Sequence, residues 1–268
     1  MDNLLKHAMR SLLMIFVLIM PATTCSGEVS DALMDESKTI KGIYVYKSTL
    51  KPRSAFSSST EKFSRDGKVF YKITEQGRGD YDKYENVTWK SDAEVEEKES
   101  LLYVIYSLQI IRDKDENILV KHEKRFDYDK KKICYTASDG EGKILMKRRF
   151  PIKGKTTDNI TMMHFLERFV AHRNEKAYRN FYLISNEPKF YRINIKVMES
   201  EELELPIGRI KAIKLRLIPD MGLLTGLAGL FIPPTFVWYT EEPPYSWLQY
   251  EGLETSLGSM HIVASISP

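Results

Sequence analysis

A chain of 268 residues that is 43% apolar and 29% charged has the makeup of a soluble globular protein, long enough to bury a core. Its 40 basic and 37 acidic residues leave a net charge of only +3. The clusters Lys130–Lys132 and Lys147–Arg149 are modest, which speaks against a nucleic-acid partner, since that would need basic charge gathered on one face.

The first stretch reads as an export signal. Lys6, His7 and Arg10 precede an apolar run, Leu12–Met20, that Pro21 breaks and small residues from Ala22 to Gly27 follow. The run is well short of the roughly 20 residues needed to span a bilayer, so a cleaved signal is expected over 1–26 rather than an uncleaved anchor. Residues 27–36 read as a flexible lead-in, and 37–268 as a single β-rich domain. Cys25 lies where a lipidated cysteine would, although Ala22 and Thr24 depart from the usual residues before one. It stands as a candidate for lipidation or, in an oxidising compartment, for a disulfide with Cys134. Two cysteines cannot build a cysteine-rich metal site.

From Ser37 the apolar period is two. Lys41–Lys47 and, more weakly, Phe56–Phe63 alternate like strands. Asp66-Gly67, between Glu61–Arg65 and Lys68–Glu75, is a strong hairpin signal. Tyr81–Trp89 reads as a short strand and the acidic Ser91–Glu99 as a solvated turn or edge. Leu101–Ile111 carries apolar residues on both faces and reads as central. Asp113–Asn117 turns the chain, and Ile118–Tyr128, Lys130–Thr136 and Lys143–Phe150 continue a meander.

One segment changes period. Thr156-Thr157-Asp158 is a helix-start signature, with Met162, Phe165, Leu166 and Phe169 spaced for one apolar face, so a helix is expected over about 159–174. Strands resume at Tyr178–Ser185, Lys189–Glu199, Arg209–Ile218, Phe236–Thr240, Trp247–Glu251 and Ser259–Ile266. The expected fold is therefore mostly β with one helix. It is a strongly curved antiparallel sheet or partial barrel of about ten or more strands, with the amphipathic helix packed on it.

Phe126-Asp-Tyr-Asp129, Phe150-Pro-Ile152, the capped helix start at Asp158–Met163, Val197–Gly208 and Val237–Glu242 follow one another in an order that resembles the bacterial family catalogued as domain of unknown function 3108. The resemblance covers most of the mature chain, is strongest from Phe126 to the end and faint before Leu101, and implies an exported, β-rich envelope protein of the periplasm or outer-membrane surface. It implies no catalytic residues. The Glu-Glu-Pro-Pro turn after Thr240 and a long apolar loop before Pro233 depart from the family pattern. The family's curved sheet is similar to those of periplasmic lipoprotein carriers, a likeness of fold alone.

That loop, Met221–Ile232, is uncharged, although loops are usually polar. Burying a Leu or Phe is worth about 1.5–3 kcal/mol, so its side chains are expected inside, against a membrane, or over an apolar cavity. Leu223, Leu224, Leu227, Leu230 and Phe231, together with Trp238, are the candidate ligand-binding residues, with a lipid or acyl chain as the ligand. No Gly-x-Ser-x-Gly elbow, phosphate loop or His-Glu-x-x-His occurs, and His122, His164, His172 and His261 are scattered. No enzyme, cofactor or metal site is expected. The alternative is an envelope scaffold that uses sheet edges and the aromatic residues from Trp238 to Tyr250 to hold another envelope protein.

Overall fold

Asp66 and Gly67 both take positive φ, 53° and 71°, and Arg65 faces Lys68 across them, as a two-residue hairpin turn requires. They join β2 (Pro52–Arg65) to β3 (Lys68–Tyr81). The first half of the sheet is completed by β1 (Ser37–Tyr46), β4 (Tyr84–Lys98), β5 (Leu101–Arg112), β6 (Ile118–Asp127), β7 (Lys132–Ser138) and β8 (Ile144–Pro151). Then come β9 (Thr156–Asp158), α1 (Met162–Ala171), β10 (Asn180–Ile184), β11 (Phe190–Val197), β12 (Glu201–Leu205) and β13 (Gly208–Pro219). The chain ends in β14 (Thr235–Thr240), β15 (Trp247–Leu253) and β16 (His261–Ser267). This computed structural model describes residues 37–175, 179–220, 222, 233–256 and 258–268, all within one compact unit, Asp31–Pro268.

The strands form one sheet of 16, in the order β8-β7-β6-β5-β4-β3-β2-β1-β16-β15-β14-β13-β11-β10-β9, with β12 also paired to β13. β1 joins the two halves by pairing antiparallel with β16, Gly42 opposite Ile266. β9 runs parallel to β10. Register shifts at Gly79/Tyr81, Glu94/Val95 and Trp238/Tyr239 mark irregularities of the kind that bend strands. The bending brings strands far apart in the order onto one core: Val87, Ile111 and Tyr135 share a cluster with Ile193, Leu215 and Val237. The sheet therefore curls strongly but does not close, and β8 and β9 are its edges.

α1 sits inside the curl. The expected stripe is there, with Phe165, Leu166 and Phe169 buried, but His164, Glu167 and Arg168 are buried as well. A helix on one face of a flat sheet would leave these polar groups wet; here strands approach from more than one side. Arg168 donates to Tyr71 (3.1 Å) and pairs with Glu97 (2.9 Å), Lys38 approaches Glu167 (3.4 Å), and the Tyr239 hydroxyl donates to the Met163 carbonyl (2.8 Å). The helix is shorter than its periodicity predicts because Asp158–Thr161 form a separate turn, in which Asp158 Oδ1 accepts the Thr161 N–H (3.0 Å).

Two strand expectations are corrected. Ser91–Glu99 is no solvated turn but mostly the second half of β4: Ser91, Ala93 and Val95 are buried, while Asp92 and Glu94 bond outward to Thr74 and Arg65. Tyr81–Trp89 is divided, because the backbone turns at Asp82 (φ 54°) before β4 begins. Among the described residues, no helix is long and apolar enough to cross a membrane.

Candidate ligand-binding site

The β8 edge of the curled sheet meets the β10–β11 hairpin through aromatic side chains. Phe150 of β8 stacks on Phe190 of β11 (ring centroids 6.1 Å), and Phe190 stacks on Tyr182 of β10 (5.2 Å). Beyond Phe150 the seam opens into a cavity of about 710 Å³. Ile111, Val120, Ala137, Leu145 and Met146 supply its apolar wall. Buried Tyr81, Gln109, Tyr135 and Asn186 lie deepest, and the exposed side chains of Lys83, Arg148, Arg149, Glu187 and Lys189 form the rim.

The deep residues belong to a continuous buried hydrogen-bond network. Gln109 Nε2 donates to Tyr81 Oη (3.2 Å) and Ser91 Oγ (3.1 Å), and its Oε1 accepts from Asn186 Nδ2 (2.6 Å). Asn186 Oδ1 accepts from Lys124 Nζ (2.6 Å), and the Asn186 carbonyl accepts from Tyr135 Oη (2.6 Å). Lys124 also donates to Asn159 Oδ1 and Asp158 Oδ2, both at 3.0 Å. Asp158 is completed by Ser107 Oγ (2.5 Å) and by Thr161. Burial pulls the Lys124 ammonium down and pushes the Asp158 carboxyl up, but Lys124, Ser107 and Thr161 together hold Asp158 below its ordinary range. The network binds β3–β7 to β9 and to the turn after β10.

His122 Nδ1 lies 2.7 Å from Tyr135 Oη. That hydroxyl already donates to Asn186, so the ring is the donor. Burial, with Lys124 and Lys83 adding repulsion, lowers the imidazole to about 4, so it is neutral at pH 7.

Two smaller hollows lie beside the large cavity. One of about 80 Å³ shares Tyr81 and Gln109 with the large cavity and is bordered by Glu75, whose carboxyl burial pushes up despite a hydrogen bond from Trp89 Nε1 (3.2 Å). The other, of about 120 Å³, is bordered by Leu183, Ile193, Leu217, Pro219 and Thr235.

Leu223, Leu224, Leu227, Leu230 and Phe231 lie outside the described residues, as does Cys25. Pro219 and Thr235, which flank the loop, both border the second hollow. Trp238 lies on the opposite, convex face. Its neighbours Val237 and Tyr239 join the interior cluster, whereas Trp238 packs with Leu205, Ala212 and Leu248. Its Nε1 donates to Glu201 (2.6 Å), and Lys214 lies 5.0 Å from its ring. Cys134 is half-buried on β7, between Arg125 and Arg149 in register. The histidines are dispersed: His164 lies near Glu167 (3.6 Å), His172 near Glu175 (2.8 Å) and His261 near Glu251 (3.8 Å). Among the described residues, no three His, Cys, Asp or Glu side chains gather as metal ligands.

Sequence reasoning missed Ser107, Gln109, Lys124 and Asn186. The signal was a polar residue in phase with buried apolar ones, as where Lys124 shares the inward face of β6 with Val120 and Phe126.

No family model matches the sequence, and no curated protein matches it. Among solved structures, the chain is similar to a β-barrel-like protein of domain of unknown function DUF1849 from Brucella abortus. That likeness has 8% identity and a TM-score of 0.46, over 85% of this chain and 94% of the other. A candidate lipoprotein from Parabacteroides distasonis matches with 7% identity and a TM-score of 0.34, over 87% and 94% of the two chains. A candidate exported protein with a YmcC-like fold from Bacteroides fragilis matches with 5% identity and a TM-score of 0.32, also over 87% and 94%. None of the three bears the name of the family that the sequence motifs resemble.

Proposed function

We propose that this is an exported, non-enzymatic protein of the cell envelope that binds a lipid or another apolar envelope component within its curled sheet. The observation that carries this reading is the cavity of about 710 Å³ at the unclosed seam, walled in part by aliphatic side chains and adjoining two smaller hollows. Its volume lies in the range of about 300–1,000 Å³ that small-molecule sites occupy. The N-terminal pattern around Leu12–Met20 supports export. The deep polar groups hydrogen-bond one another, which suits holding a ligand better than transforming it.

Native mass spectrometry and solvent extraction of protein purified from the periplasm test the proposal. A co-purifying lipid, or saturable uptake of a fluorescent fatty acid, is expected; neither appearing would end it. Removing 223–230 is expected to abolish that uptake.

A second reading, an envelope scaffold, is favoured by one observation. On β8, Ile144, Leu145 and Met146 are 57%, 55% and 39% exposed beside an unpaired strand edge, a surface suited to strand addition by another protein. A scaffold would keep its partner after the 223–230 deletion and would take up no lipid.

A further inference from the structure

We infer that the large cavity selects an anionic amphiphile, holding its charged head at the rim and its apolar tail against the inner wall. This rests on the ligand-binding reading above and adds the chemical class. The cavity lining carries four cationic side chains, Lys83, Arg148, Arg149 and Lys189, against two carboxylates, Asp82 and Glu187. Both carboxylates are already engaged: Glu187 pairs with Lys189 (3.1 Å), and Asp82 accepts from Thr255 Oγ1 (2.8 Å). Arg148 and Arg149 have no carboxylate partner among the described residues, although ion pairs are common elsewhere on this surface. Arg148 and Arg149 both line the cavity beside the aliphatic wall, and each guanidinium offers several N–H donors to a phosphate or carboxylate.

The interior decides which way the ligand lies. Most polar groups of Gln109, Asn186 and the Tyr135 hydroxyl are committed to internal hydrogen bonds and no cation among the described residues lines the deep end, so it gives a charged head little in return for its lost water. The free cations are on the exposed rim, and the aliphatic wall of Ile111, Val120 and Ala137 lies on buried strand positions. A head outside and a tail inside is the arrangement that satisfies both.

Calorimetric titration of the full chain with dodecyl phosphate, dodecanol and inorganic phosphate separates the outcomes. Dodecyl phosphate is expected to bind about tenfold tighter than dodecanol, the size of effect that two exposed charge pairs supply. Inorganic phosphate is expected to bind far more weakly than either. The double variant Arg148→Gln/Arg149→Gln should bring the preference for dodecyl phosphate over dodecanol to within about twofold. Should that variant fold poorly, the unaltered protein gives a second measurement: raising salt should weaken dodecyl phosphate and leave dodecanol almost unaffected. Equal binding of the two dodecyl compounds, insensitive to salt, overturns this inference and leaves the lipid reading standing. Phosphate binding as tightly as dodecyl phosphate makes the site one for soluble anions and also overturns it. If none of the three binds, the lipid reading itself has failed.

Discussion

Lys124 has three ammonium protons, and Asp158, Asn159 and Asn186 supply three acceptors within 3.0 Å. Its side chain is 1% exposed and that of Asp158 is 0% exposed, so neither charge has water to fall back on. Lys124→Met is therefore expected to lower stability by about 3–5 kcal/mol, because it leaves a buried carboxylate unpaired. Adding Asp158→Asn should restore part of the loss, since the neutral amide keeps an acceptor oxygen toward Thr161 and can turn its NH2 donor toward the Ser107 hydroxyl oxygen. Urea unfolding of the three proteins checks this, and a single variant within about 1 kcal/mol of wild type would show that the pair is solvated. His122 gives a pH-dependent counterpart. Its ring titrates near 6.5 when unfolded and at about 4 in the fold, so the unfolded chain binds the proton more readily. Stability from the neutral ring is full above 6.5 and falls as pH drops toward 4. His122→Gln is expected to flatten the melting temperature against pH over that window, and an unchanged slope would assign the acid sensitivity to other groups.

At the scale of elements, α1 behaves as an internal post for the curl. Phe169 is 3% exposed and packs in the main interior cluster, so Phe169→Ala should cost about 3–5 kcal/mol in chemical unfolding. A loss below about 1 kcal/mol would mean that the helix can settle into the space left behind. The apolar stripe of this helix was legible because Phe165, Leu166 and Phe169 keep helical spacing. The burial of Glu167 and Arg168 was not, because their partners Lys38 and Glu97 come from strands remote in sequence and meet them only once the sheet has curled. β4 teaches a related point. Its charged second half was read as solvated, yet Ser91, Ala93 and Val95 keep period two and are buried. Charge density described Asp92 and Glu94 on the convex face, and alternation described the fate of the strand. Asp66-Gly67, by contrast, specified its turn locally, since the positive φ of both residues needs no tertiary partner.

For the molecule as a whole, the sequence disclosed a curved β architecture but not where the sheet would fail to close. Pairing partners such as β1 with β16 are set by global curvature, and nothing local marks β8 and β9 as edges. That failure to close is what creates the cavity, and it can be read in solution by amide hydrogen exchange. Among the described residues β8 is paired only to β7, and Ile144–Arg149 are exposed along its length. β3 and β4 are long strands inside the sheet and hold Tyr71, Ile73, Ala93 and Val95 in a buried cluster. Amides of β8 should therefore exchange through cheap local opening, orders of magnitude faster than those of β3 and β4, which await larger unfolding. Saturating dodecyl phosphate should slow exchange in 144–150 and 186–189, the two sides of the seam, while the exposed β12–β13 turn at Pro206–Gly208 keeps its free rate. Uniform protection from β8 through β4 without ligand would mean the seam is shut in solution. The cavity would then have no entrance there, and the case for a ligand would move to the second hollow between Pro219 and Thr235.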